Sequence, residues 1–251
     1  MFEIENYFTS YHSLSTIRNL FHHTHPYPPF NLGKATKLIV GTLPPPRFTI
    51  GKYKPCDVNF SYGSIDGQLW TILNSIFNAG LVFETTQKAI EQRQTLLINN
   101  NIGICDIVAS AKRDKIDASD LGMQEVEFRD LISVLEKHSK VDTLLFTGGN
   151  SKNGPEYFFR KVAKSKGFTV NLIHDQVPRI HSFQLPISKR IIHTVSLTAP
   201  SGAANRAVGS LKAYKEMKVS FPHKNTIDFR IEQYTPYFTQ QKSDWLPNRS
   251  N

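Results

Sequence analysis

Short runs rich in apolar and β-branched residues alternate along this chain with segments whose apolar residues recur at three- and four-residue spacing. The runs at 37–40, 102–108, 141–147, 168–173 and 191–197 predict strands, and the continuous ones suit a parallel sheet covered on both faces. Leu69, Ile72, Leu73, Ile76 and Phe77 predict a core-facing helix, and a second follows over 86–99. A third is expected over 124–137, with Val126, Leu131, Val134 and Leu135 turned inward. Pro155 opens a fourth to about 166, which Gly167 caps, and a last helix is expected over 203–218. Alternation of this kind predicts an α/β fold: a three-layer α/β/α sandwich with a central, mainly parallel sheet.

The ends read differently. Residues 1–25 are aromatic and polar, with a helix expected at 13–23, and Pro26-Tyr27-Pro28-Pro29 then forces an extended linker. Beyond 220 a strand is expected at 226–232 before a polar end. The organisation expected is an extension at 1–36, one α/β domain at 37–219 and a second extension at 220–251.

Thirty Lys and Arg against 21 Asp and Glu leave a charge of +9, which favours a polyanionic partner such as nucleic acid or else reflects a scattered basic surface. Cys56 and Cys105 are the only cysteines, too few for a four-thiolate zinc site, a cysteine-ligated cluster or a disulfide scaffold. His22, His23 and His25 have no matching Cys, Asp or Glu beside them and read as a surface loop, so no metal is expected. No run is long and apolar enough for a membrane span, and the first residues have no signal-peptide pattern, so a cytoplasmic chain is expected.

Candidate chemistry gathers on two loops that leave strand ends, where open α/β sheets bind ligands. Gly41-Thr42-Leu43-Pro44-Pro45-Pro46 follows the first strand, and Ala199-Pro200-Ser201-Gly202-Ala203-Ala204-Asn205-Arg206 follows the last. The amides of Ser201, Gly202 and Ala203 at a helix start favour an anion, and Ser201 equally suits an N-cap. Asn205 and Arg206 face outward, as nucleic-acid contacts or solvated positions. Phe60 and Tyr62 offer either a stacking face or core packing.

In this order the segments resemble the uracil-DNA glycosylase superfamily, and in particular its hypoxanthine-DNA glycosylase-like branch. Gly41-Thr42-Leu43-Pro44 is similar to the G-x-x-P loop. Phe60-Ser61-Tyr62-Gly63 leading to Leu69-Trp70 is similar to the branch's aromatic segment. Gly103-Ile104-Cys105-Asp106-Ile107-Val108, trailed by Arg113 and Asp117, is similar to its G-x-x-D-V-V strand, and Pro200-Ser201 through Asn205 to its second motif. The resemblance implies a monomeric, cofactor-free enzyme of base excision repair. Such an enzyme flips a deaminated base, uracil or hypoxanthine, out of DNA and hydrolyses its N-glycosidic bond. It implies base contacts from Gly41, Thr42, Leu43, Pro44, Phe60, Tyr62 and Ser201, and DNA contacts from Gly202, Asn205 and Arg206.

Leu43, Gly67 and Ala199 stand where those enzymes carry a polar residue. The attacking water then needs another holder, for which Asp66 is the first candidate and Asp57 or Asn59 the next. Asp66 also suits the N-cap of the helix beginning near Gly67. Without a holder the same fold is expected to serve as a catalytically inactive DNA- or damage-binding protein.

Overall fold

A computed structural model describes residues 20–246. In chain order the strands are β1 (Phe21–Thr24), β2 (Lys37–Val40), β3 (Ile102–Ile104), β4 (Val108–Arg113), β5 (Gln124–Phe128), β6 (Thr143–Phe146), β7 (Asn171–His174), β8 (Arg179–Gln184) and β9 (Ile191–Ser196). The helices are α1 (Pro46–Thr49), α2 (Leu69–Phe77), α3 (Gln87–Asn99), α4 (Leu131–Lys137), α5 (Pro155–Ser165), α6 (Asn205–Ser210), α7 (Lys212–Ser220), α8 (Thr226–Thr239) and α9 (Lys242–Trp245).

Six strands form the central sheet in the order β3-β2-β6-β9-β8-β7. The first four are mutually parallel, and the β8–β7 hairpin adds an antiparallel edge beside β9. Successive side chains on a strand point to opposite faces, and the core divides accordingly. Ile39, Leu145 and Val195 face a layer built from α2, α3 and α8. Leu38, Val40, Leu144 and Phe146 face the other layer, which contains α4 and α5. Both faces are therefore covered, which is why β2 and β6 read as unbroken apolar runs. No helix among the described residues is long and apolar enough to cross a membrane.

The expected elements are corrected at several places. Of the helix expected at 13–23, residues 13–19 lie outside the described residues, and Phe21–Thr24 is strand β1. β1 pairs with β4, and β4 with β5, in a separate antiparallel sheet. That pairing buries His23 completely and His25 nearly so, rather than leaving them on a surface loop. The run at 102–108 is interrupted after Ile104, and β4 starts at Val108 in the other sheet. The helix expected from 124 begins only at Leu131, where the Asp130 carboxylate accepts from the Ser133 amide; Gln124–Phe128 is strand, with alternate residues half-buried.

The helix expected over 203–218 breaks at Leu211, just after Gly209 and Ser210, both weaker helix formers than alanine. At 226–232 there is no strand. Asn225 and Asp228 form a reciprocal capping box that starts α8 instead. Tyr234, Tyr237 and Phe238 of α8 then pack into the core beside α2. β8, to which the sequence reading assigned no element, completes the sheet next to β9.

Candidate functional site

β2 and β9 run parallel on either side of β6, so the loops that leave them open on one edge of the sheet. The start of α2 joins the second loop there. Gly67 makes a bridge with Ser201, and the Gln68 amide donates to the Pro200 carbonyl at 2.8 Å. Between these segments lies a cavity of about 550 Å³, within the ~300–1,000 Å³ usual for small-molecule sites. Thr42 to Pro45, Tyr62 to Ser64, and Pro200 to Ala203 form its walls, with Asp66 and Gly67 at one side. Asp106, buried, lines it as well, together with His25 and Thr147.

Asp106 is the hub of this cavity. Its Oδ1 accepts from the Gly41 amide at 2.6 Å and from the Tyr62 hydroxyl at 2.5 Å, and its Oδ2 meets His25 Nε2 at 2.9 Å. His25 Nδ1 accepts from the Tyr27 amide, so the imidazole proton sits on Nε2 and is donated to the carboxylate. Three donors occupy three of the roughly four lone-pair sites of a carboxylate. Burial, and then the charge of Asp106, raise the Tyr62 phenol well above its ordinary value, so it remains a donor.

Reaching that position constrains the backbone. Tyr62 has φ 59°, a left-handed conformation that a bulky residue rarely adopts. It is held by bonds on either side of it, from the Val58 amide to the Gly63 carbonyl and from the Gly63 amide to the Phe60 carbonyl. A Cβ on Gly63 would lie 1.9 Å from the Val58 carbonyl oxygen, and one on Gly41 would lie 2.4 Å from the Tyr62 hydroxyl. Both glycines are required by close approach.

A second set of polar groups stands behind the first loop. Thr42 Oγ1 donates to Asp120 Oδ1 at 2.8 Å. Arg113, fully buried, donates from Nε to His23 Nδ1 at 2.8 Å and from a terminal nitrogen to the Ser119 carbonyl at 2.6 Å. Burial, followed by Arg113, lowers His23 to about 4. Burial raises Asp120 to about 6 against the opposing pull of Thr42 and Arg113.

Of the expected base contacts, the cavity brings together Thr42, Leu43, Pro44, Tyr62 and Ser201, and Gly41 supplies an amide to Asp106. Phe60 does not reach it. Its ring lies in the core, 5.4 Å from Phe30 and 6.0 Å from Trp70 between centroids. Asp57 is wholly buried, held by two bonds from Arg47 and by the Lys54 and Ile65 amides. Asn59 accepts the hydroxyls of Tyr27 and Tyr53 and lines no part of the cavity. Phe60 is thus a core residue, and the Asp57 carboxylate and the Asn59 side-chain oxygen are taken up by local partners, which gives all three structural roles away from the cavity.

Asp66 does line the cavity, but at its exposed side, where it pairs with Lys54 at 2.7 Å and Arg47 at 3.3 Å. It is not the cap of α2, whose N-cap is Gln68. Ser201 makes no side-chain cap bond either. Gly202 lines the cavity and Arg206 is exposed, whereas Asn205 accepts from Arg230 at 2.8 Å. Sequence reasoning missed Asp106, His25 and Asp120 as site residues. For Asp106 the available signal was a lone carboxylate inside the apolar run 102–108.

Comparison with protein-family models, curated proteins and solved structures finds no match for this chain.

Proposed function

We propose that this protein is a DNA glycosylase that takes a deaminated base, uracil or hypoxanthine, into the cavity and hydrolyses its N-glycosidic bond. The observation that carries the reading is the convergence of both proline loops and Tyr62 on one cavity with a buried carboxylate, Asp106, in its lining. Deamination leaves a ring N–H in uracil and hypoxanthine where cytosine and adenine have a bare nitrogen. A carboxylate with one lone pair left accepts from the former and repels the latter. Asp106, not Asp66, is therefore the carboxylate assigned to the base, and Asp66 remains at the mouth beside Lys54.

The basic surface supplies the attraction for DNA, with Arg206 as a phosphate contact and Gly202 beside it. The protein acts as a cytoplasmic, nucleoid-associated monomer in base excision repair, without a cofactor. Oligonucleotides bearing uracil, hypoxanthine or xanthine, treated with alkali after incubation, test this: strand breaks at the modified base are expected with the wild type and not with Asp106→Asn. No break at any of the three bases overturns it. The second reading, a DNA- or damage-binding protein without catalysis, is favoured by the apolar Leu43 before Pro44 and by Ala199 before Pro200. It predicts tight binding to the same oligonucleotides with no cleavage.

A further inference from the structure

The proposed hydrolysis needs a group to hold the attacking water, and the residue before Pro44 is a leucine. Asp106 is committed to three donors from Gly41, Tyr62 and His25, and its remaining lone pair to the base. Asp66 is tied to Lys54 at the exposed side. The hydroxyl carried by the first loop is that of Thr42, which lines the cavity, and its proton is already assigned: it points to Asp120 at 2.8 Å. A hydroxyl that donates in one direction presents lone pairs in the others. Thr42 Oγ1 is thereby turned into an acceptor on the cavity side.

We infer that Thr42 is the residue that holds the attacking water, and that Asp120, acting through it, is the positioning residue that makes the Thr42 hydroxyl an acceptor and takes up the proton. This rests on the reading of the cavity as a glycosylase site. In the step, the water oxygen bonds to the anomeric carbon as the carbon–nitrogen bond breaks, and the electron pair of that bond leaves on the base. The water proton passes to Thr42 Oγ1 while the Thr42 proton passes to Asp120 Oδ1, so atoms and charge balance.

The surroundings of Asp120 suit this work. It is half-buried, and its backbone carbonyl is held by Asn153 Nδ2 at 2.8 Å. The charged group that acts on it is Arg113 from β4, which in turn meets Asp117 at 3.8 Å and donates to His23 of β1. Burial raises Asp120 to about 6, close to the operating pH at which a proton acceptor is most effective. His23, held at about 4 by burial and Arg113, stays neutral over the same range. When Asp120 is protonated it donates to Thr42, and the threonine then has no fixed acceptor role.

Single-turnover cleavage by the full chain, from pH 5 to 8, on the deaminated-base oligonucleotide that the wild type cleaves is the test, with Thr42→Ser, Thr42→Val and Asp120→Asn. The wild-type rate is expected to rise through about pH 6 and level off. Thr42→Val, which keeps the shape and loses the hydroxyl, is expected to lose about 10²–10⁴-fold on the plateau. Thr42→Ser should stay within about tenfold and keep the same inflection. Asp120→Asn, which still accepts from Thr42 but cannot take a proton, should be slow at every pH and show no inflection. Affinity for a duplex with a tetrahydrofuran abasic analogue should be unchanged in all three, which separates this role from a merely structural one. Wild-type cleavage with a normal rate in Thr42→Val, or an inflection kept in Asp120→Asn, overturns this inference alone. A wild type that cleaves none of the bases overturns the glycosylase reading and this inference with it.

Discussion

Replacing Gly41 by alanine tests how tightly the Asp106 hub is built. The glycine has no positive φ, so the backbone itself accepts alanine, and a restricted unfolded chain favours it by about 0.4–1 kcal/mol. Against this, the new Cβ would stand 2.4 Å from the Tyr62 hydroxyl, 2.9 Å from Thr147 Oγ1 and 3.0 Å from Asp106 Oδ1. The hydroxyl cannot simply swing away, because the Tyr62 backbone is fixed at φ 59° and its proton is donated to Asp106. Crowding of this kind costs about 1–3 kcal/mol, and losing a hydrogen bond to a charged acceptor adds about 1.5–3 kcal/mol. Gly41→Ala should therefore lose about 2–5 kcal/mol in urea unfolding. Tyr62→Phe alone should lose about 1.5–3 kcal/mol. In the double variant the hydroxyl is gone before the Cβ arrives, so the losses should fall short of additivity by about 1–3 kcal/mol. Additivity within about 0.5 kcal/mol, or a neutral Gly41→Ala, would refute the close approach.

Arg47→Ala should cost about 3–5 kcal/mol at neutral pH, because it strands the wholly buried Asp57. Burial pushes the Asp57 carboxyl up, but Arg47 and the Ile65 and Lys54 amides outweigh this and hold it below the ordinary carboxylate range. Its stabilisation is present above that range and lost on acidification, so the gap between variant and wild type should narrow below about pH 4; a constant gap in chemical unfolding would be the contrary result. His23, held at about 4, excludes a proton that the unfolded chain takes up below about 6.5, a loss of about 3 kcal/mol by pH 4. His23→Gln should flatten the fall in stability between those values, and equal slopes would show that His23 is not held neutral. DNA binding should weaken steeply with salt, and Arg206→Ala should reduce the slope of log K against log salt by about 1. A wild-type slope near zero would remove the electrostatic attraction from the reading.

The parallel centre of the fold was legible because β2 and β6, buried on both faces, leave nearly continuous apolar runs, and β9 leaves a run rich in β-branched residues. β1, β5 and β8 were not. They are short or lie near sheet edges, and β5 is followed so closely by α4 that its Val126 and Phe128 merge into the helical spacing. The two loops were legible as a pair because each has its own local signature. The Asp106 hub was legible only as a carboxylate within the run 102–108, since His25 and Tyr62 lie 81 and 44 positions from it and meet it only through the tertiary fold. Asp66 attracted notice by adjacency to Gly67, and proximity in sequence says little about which side of a turn faces a cavity.

Arg230 gives the chain's direction of synthesis a meaning for the site. Wholly buried in α8, it donates to Gln68 at the start of α2, to Asn205 and to the Ser201 carbonyl, and so fixes both sides of the Gly67–Ser201 bridge. A nascent chain has every strand of the central sheet once Ser196 has left the ribosome. The cavity still lacks the guanidinium that holds its second wall, which follows only 34 residues later. A stalled or prematurely released chain ending between Ser196 and Arg230 therefore carries every strand of the central sheet but lacks both the tie across the cleft and the α8 residues Tyr234, Tyr237 and Phe238 that cover one face of that sheet.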